Sequence, residues 1–591
     1  MRIAPQKSAA ARAPLCGALL GLLVALLLVT GHQRVGYVRD EGIYFVASRS
    51  YAAWAAWALR RPTSVLDAPA RDRAFAVNNE HPPLMKLLAG LSARLLAAAP
   101  APTNPSTTPP SRAEPGGPTN PPVEPAPAGL LPLLPEGAAM RLPAQLLAGL
   151  AVALLFIAGA ALGGGLLAGL LAAGWFIALP RVWFHAGLHC FDVPVSCATL
   201  AVVLTYRRAL VAPAWGLALG PALGLAIAIK HNALFIAPLL VAHYAICLIT
   251  APKPRPRRLW APLWLLSVAL LAPLTVYCLW PWLWSDPLPR LAEYFAFHAD
   301  HSYYNTEYFG VNYNRPPLPI AYPFVLTWAT VPSALLLLAL AGLVLGLRRD
   351  LAALRLQRVN ARDQPASAPI ARQRRWGAPL AGVARHDGLL FALFALTPLL
   401  IIAHPSVPIF GGTKHWLTAY PFLALAAAAA WGALWRHLPL PDPGRARRLL
   451  PALALVILLG PALWSTLHAH PYQLSTYAPL LGGARGAAER GLLRGFWGHA
   501  VDGFALSDLP PGPIDLHDLH ELARQQYARE GRWPAGLTPA PTARARAALH
   551  FYERHTLSYE LAQWSALGHT APAALIELDD VPLAALYTAA P

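Results

Sequence analysis

Charge is what this sequence is shortest of: Asp, Glu, Lys and Arg make up 13% of its 591 residues. Hydrophobic types make up 56%, with 19 Trp, and the mean hydropathy is positive. That balance excludes a wholly soluble chain and fits one that crosses a membrane many times. Cysteine is scarce as well. Cys16, Cys190, Cys197, Cys247 and Cys278 lie mostly within or beside apolar segments and show no CxxC spacing, so neither a zinc site nor a disulfide framework is indicated. No Gly-rich phosphate loop is present. The net charge of +18 sits in a few loops between apolar segments, the pattern of topology signals, and nucleic acid is not an expected partner.

Arg2, Lys7 and Arg12 precede an apolar run from Ala13 to Val29, and Val29-Thr30-Gly31-His32 offers no small-x-small cleavage site. The run reads as a retained helix with residues 1–12 cytoplasmic. A long first loop, 31–138, follows, and its Pro/Thr-rich tract over 100–127 reads as a flexible insert. Ten further apolar stretches lie between 139 and 467, most of them near the roughly 20 residues a bilayer requires. If 84–99 lies on the membrane surface instead of crossing, the basic loops Lys253–Arg258, Arg348–Arg385 and Arg436–Arg448 all fall inside with the N-terminus, as the positive-inside rule asks. The expected fold is therefore an all-α, multi-span integral membrane protein of about eleven transmembrane helices over 13–467. A small extracytoplasmic α/β domain is expected over 468–591, with a helix over 518–530 and strands at 547–552 and 574–578.

That parity puts the unusual polar residues on one face. Asp40-Glu41 follows the first span; adjacent carboxylates near low-dielectric material suit a general base or a divalent-metal ligand, and equally suit a helix cap. Glu80-His81-Pro82-Pro83 places an acid and an imidazole before a short helix, for metal or phosphate binding or as ordinary helix-start chemistry. Asp192 opens a span, where capping also accounts for it. Lys230-His231, between two apolar helices, and Lys414-His415, after Gly411-Gly412, are cations at membrane depth, suited to a lipid phosphate or to simple snorkelling. The aromatics of the 282–319 loop fit an interfacial belt or sugar stacking.

Asp40-Glu41 in an outward first loop, then His81-Pro-Pro-Leu-Met-Lys86, then Asp192-Val-Pro194 in a later outer loop resembles the polyprenyl-phosphate-sugar glycosyltransferases of the GT-C fold. The pattern is most similar to the family-39 group of protein O-mannosyltransferases and the lipid A aminoarabinose transferase, and covers about 13–467. It implies transfer of a sugar from a polyprenyl-phosphate donor to a hydroxyl on the outer face of the inner (plasma) membrane. In that reading Asp40 is the base on the acceptor and Asp192 a supporting acid. Glu41 and Glu80 assist or hold a divalent metal cation, the only cofactor the resemblance admits. His81 meets the donor phosphate or the metal, and Arg181, Lys230 and Lys414, with His231 and His415 beside the lysines, meet the donor phosphate. The acceptor stays open among protein, lipid and glycan, since no MIR-type domain is recognisable. The rival reading is a transporter or flippase of lipid-linked sugars, which calls for mid-span acids and repeat symmetry; neither is seen.

Overall fold

The computed structural model describes residues 7–99, 129–251, 262–363, 386–438 and 446–589. Residues 1–6, the Pro-rich tract, the Lys253–Arg258 loop and residues 364–385 and 439–445 of the two other basic loops lie outside that range. The apolar runs fold as helices because a chain in lipid must satisfy its backbone hydrogen bonds within itself. The chain opens with α1 (Lys7–Gly31), then α2 (Arg39–Arg60), α3 (Ala68–Ala76) and α4 (Leu84–Leu96). It continues through α5 (Glu136–Gly163), α6 (Leu166–Ile177), α7 (Pro180–Ala186), α8 (Asp192–Ala209), α9 (Gly216–Ile229), α10 (Ile236–Thr250) and α11 (Leu263–Leu279). Then come α12 (Pro287–Ala299) and a hairpin of β1 (Thr306–Tyr308) and β2 (Val311–Tyr313). Five more helices follow: α13 (Tyr322–Thr330), α14 (Ser333–Asp363), α15 (Asp387–Ile402), α16 (Tyr420–His437) and α17 (Ala446–His468).

Against the expected eleven crossings, five helices among the described residues are each long and apolar enough to cross a membrane: Ala11–Arg34, Glu136–Gly163, His231–Thr250, Gly412–His437 and Leu449–His468. A sixth is counted if α6 and α7, bent by 75° at their junction, form one span. Pro213–Ile229, Leu263–Leu279 and Asp387–Ile402 are apolar but shorter. The chain is an integral membrane protein, and two of its apolar runs are interrupted beside a proline. Pro180 opens α7 after the bend, and Pro332 separates α13 from α14. α4, at 13 residues, is too short to span, and it packs against both α2 and α5.

Helix ends meet in two sets. At one end, Arg141 near the start of α5 bonds the carbonyls that follow α1, and Lys230 after α9 meets Asp192 at the start of α8. At the other end, Arg207 in the last turn of α8 pairs with Asp387 at the start of α15 at 2.6 Å, and Thr250 closing α10 bonds His386 at 2.8 Å. α1 and α5 run antiparallel with Gly21 against Gly149, where a methyl on either would strike the other's carbonyl. α16 is the central helix, buried along nearly its whole length.

The C-terminal region carries α18 (Gly483–Glu489), α19 (Glu521–Arg529) and α20 (Leu557–Leu567). Its five-stranded sheet has the order β4-β3-β5-β7-β6. The strands are β3 (Gly512–Leu516), β4 (Leu537–Pro539), β5 (Ala547–Phe551), β6 (Ala574–Leu578) and β7 (Val581–Thr588). β3 is parallel to both of its neighbours, and β7 is antiparallel to β5 and β6. The expected helix and two strands correspond to α19, β5 and β6. β3, β4 and β7, short or unalternating, were not anticipated.

This region docks on the first loop through buried polar groups. The Tyr37 hydroxyl donates to Glu530 Oε2 at 2.6 Å and the Gly137 amide to Glu530 Oε1 at 2.7 Å. Arg529 and Gln526 of α19 meet Glu136 at 3.0 and 3.1 Å, and Arg49 of α2 joins them. The contact is specific because each of these buried groups would be orphaned without its partner.

Candidate active site

Asp40 and Glu41 open α2, yet they face different surroundings. Glu41 is wholly buried. Its Oε1 accepts from Arg141 Nε at 2.7 Å and from the His189 amide at 2.8 Å; its Oε2 accepts from Arg141 at 2.6 Å and from the Val38 amide at 3.2 Å. A carboxylate offers about four lone-pair sites, and all four are used. The remaining Arg141 donors go to the carbonyls of His32, Val35 and Gly36. Glu41, expected as an assisting acid or metal ligand, is instead the anion that pins the loop after α1 to α5, and it has no oxygen left for a metal or a hydroxyl. Asp40 keeps 27% of its side chain exposed, and its charged contact is Lys414 at 3.4 Å.

Lys414 lies in a turn with Gly411 and Gly412 at φ +76° and +61°, a backbone shape that favours glycine. A methyl on Gly412 would sit 3.3 Å from the Arg181 guanidinium, so glycine lets loop and cation approach each other. Arg181 is buried. Its bonds to the Thr476 carbonyl are long, 3.3 and 3.4 Å, and it covers the Tyr477 ring at 4.7 Å. Lys414 similarly rests on aromatic faces, Trp497 at 4.0 Å and Phe410 at 5.1 Å. Both cations hold donors that no carboxylate saturates.

Asp192 joins this set to a second one. It pairs with Lys230 at 2.7 Å and lies 3.9 Å from His185, with Lys414 within electrostatic reach. Beyond Lys230, His231 bonds the Tyr294 hydroxyl at 3.0 Å and packs on His298 at 4.1 Å between ring centroids. His298 in turn bonds the Glu80 carbonyl at 2.9 Å. His81 sits among Tyr44, Phe191 and His298. Burial, reinforced by the charges of Lys86 and Lys230, holds its pKa well below the usual imidazole range. It is therefore a neutral hydrogen-bonding group, and its Nδ1 is buried without a partner.

Lys86 is fully buried and donates to the Asn78 side chain and to the carbonyls of Asn78 and His81, so it holds the Asn78–His81 turn in shape. His415 turns back onto the backbone of Phe410. Glu80 accepts from Asn78 at 2.5 Å. With Glu41 saturated and Glu80 standing alone, no group of three or more His, Cys, Asp or Glu able to hold a metal exists among the described residues. The donor set does not fit the expected cation.

Asp40, Asp192, Glu80, His81, Arg181, Lys230, His231 and Lys414 thus converge on one end of the bundle. Tyr44, one turn after Asp40, packs its ring against His81, His189 and Phe191 and so lies between the first loop and the start of α8. Sequence reasoning missed Tyr44, Arg141, His185 and Trp497. The spacing of Tyr44 from Asp40 on a helix was a usable signal; Arg141, a hundred residues from Glu41, gave none.

No family model matches the chain, and no curated protein matches it. Among solved structures, the chain is similar to ArnT from Cupriavidus metallidurans in the apo state. The identity is 14%, 97% of this chain and 98% of that chain are covered, and the TM-score is 0.46. It is similar also to ArnT from the same organism bound to undecaprenyl phosphate, with 14% identity, 97% and 99% covered, and a TM-score of 0.43.

Proposed function

We propose that this protein is a membrane glycosyltransferase that moves a sugar from a polyprenyl-phosphate donor to a hydroxyl acceptor at the membrane end carrying the C-terminal domain. The observation that carries this reading is the pairing of one open carboxylate, Asp40, with Lys414, a cation that no second carboxylate saturates, while the Arg181 guanidinium approaches the same glycine turn at Gly412. In the proposed reaction Asp40 takes the proton of the acceptor hydroxyl, whose oxygen attacks the anomeric carbon. The bond from that carbon to the lipid phosphate breaks, and its electron pair leaves on the phosphate oxygen. Negative charge therefore vanishes from Asp40 as it appears on the leaving phosphate. Lys414, already beside Asp40, keeps an anionic partner throughout and need not be desolvated anew. Asp192 holds Lys230 next to the same site. No step requires a metal.

The sidedness supports the same reading. The end of α8 and the start of α15 lie in one set of helix ends, and the site lies in the other. The undescribed basic loops connect helix ends in the set opposite the site, where the positive-inside rule would put the cytoplasm. The C-terminal domain and the site are then extracytoplasmic.

The test is transfer of radiolabelled sugar from a polyprenyl-phosphate donor in membranes holding the wild type or Asp40→Asn. Loss of about a hundredfold or more in the variant, at equal protein level, is expected for a general base. Undiminished transfer by Asp40→Asn would overturn the assignment.

A further inference from the structure

We infer that Trp497, in the chain after the last long helix, is a positioning residue of this site that clamps both halves of the Asp40–Lys414 pair; the inference rests on the function proposed above. Two contacts made by one residue carry it. The Trp497 carbonyl accepts from the Arg39 amide at 3.0 Å, and Arg39 is the first residue of α2, directly before Asp40. The first N–H groups of a helix have no partner within the helix, so this bond sets where α2 begins and where Asp40 is placed. The Trp497 indole meanwhile lies over the Lys414 ammonium at 4.0 Å, the shorter of that ammonium's two aromatic contacts. The electron-rich face of a ring attracts a cation and excludes water from it without neutralising it. A carboxylate in the same position would hold Lys414 more firmly but would saturate it against a phosphate.

The backbone is bent to allow this. Trp497 has φ +76°, in the left-handed region that bulky residues rarely adopt, and Gly498 follows at φ +65°. His185 packs edge-on to the indole at 5.4 Å, so the ring is wedged between the lysine and an imidazole that lies 3.9 Å from Asp192. The left-handed turn is what lets one residue send its carbonyl to α2 and its ring to Lys414. The bundle supplies the charged groups, and the segment after α17 holds two of them in register.

The test uses full-length protein in lipid nanodiscs. The chain has only five lysines, Lys7, Lys86, Lys230, Lys253 and Lys414, so acetylation by acetic anhydride can be followed site by site by mass spectrometry, with the others as internal references. Trp497→Leu removes the aromatic face. Trp497→Gly removes it while relieving the left-handed backbone, so a loss seen in both is not a loss of folding. Trp497→Phe keeps an aromatic face. In the Leu and Gly variants Lys414 is expected to acetylate about tenfold faster and the transfer kcat to fall about tenfold or more, with both readouts largely restored in Trp497→Phe. Unchanged Lys414 acetylation in Trp497→Leu and Trp497→Gly overturns the clamp. If Asp40→Asn abolishes transfer while the Trp497 variants match wild type, the clamp alone is wrong. If wild type transfers nothing, the proposed function fails, and the acetylation rates still decide the clamp.

Discussion

Glu41 takes four hydrogen bonds and loses all contact with solvent, whereas Asp40, one residue earlier, keeps a partly open carboxylate and one long contact to Lys414. Both are acids in the first turn of the same helix. The difference is the partner. A guanidinium offers a planar fork that fits a carboxylate with two parallel bonds, and Arg141 spends all its donors on Glu41 and three nearby carbonyls. An ammonium at 3.4 Å binds loosely and remains available. One acid holds the structure together and its neighbour is left partly open, and the two demands could not be met by one residue. Glu553 stands between them. It is mostly buried without a saturating fork, and burial, with Asp518 and Glu307 nearby and Arg39 opposing, pushes its carboxyl up to about 8.

The comparison can be broken by exchanging what each acid loses. The largest effects should come from neutralising them singly. Asp40→Asn is expected to lose about a hundredfold or more in transfer while melting like wild type. Glu41→Gln leaves Arg141 buried without its anion and should cost about 3–5 kcal/mol, read as a collapse in folded yield or a lowered melting point. Equal stability in these two variants would remove the distinction between them.

Replacing both partners sharpens the point. Glu41→Leu combined with Arg141→Met should recover most of the stability that Glu41→Gln loses, because an apolar pair leaves no buried charge. Transfer by the double variant would show that Glu41 takes no part in chemistry. Next in size, Lys414→Met should weaken transfer by about a hundredfold, the scale of one lost donor to a developing anion, and should weaken binding of polyprenyl phosphate itself.

The smallest effect concerns Glu553. Its folded pKa lies above the unfolded value of 4.5, so the folded state holds the proton more tightly. Its contribution is complete below pH 4.5 and is lost as pH rises through about 8. Melting of the full-length protein should therefore fall by a few degrees between pH 5 and pH 8. Glu553→Gln should flatten that slope, and an identical slope in the variant would refute the assignment.

Part of this site was legible in the sequence because charge is so rare in it. Asp40, Asp192, Lys230 and Lys414 stand out at the ends of apolar runs, and a charge kept at such a place needs a reason. The same reasoning misread Glu41, since nothing local marks an acid as already paired when its partner is a hundred residues away. The metal expectation had rested partly on the same acid. Trp497 and Tyr44 were hidden for the opposite cause, because aromatics abound near these segments and one more looks like interfacial belt. For the fold, apolar length foretold helices, but several of the apolar helices are a turn shorter than a full span and one is bent by 75°, so five helices among the described residues are long enough to cross against the expected eleven.

Composition and the order of apolar runs determined that this chain lives in a membrane and that its rare charged groups gather at the ends of those runs, because hydropathy and charge are properties of each residue by itself. Only the tertiary structure decided which of two adjacent acids is consumed and which is left open. That choice depends on where Arg141, Lys414 and Trp497 arrive in space, and the packing of distant helices, not local spacing, brings them there.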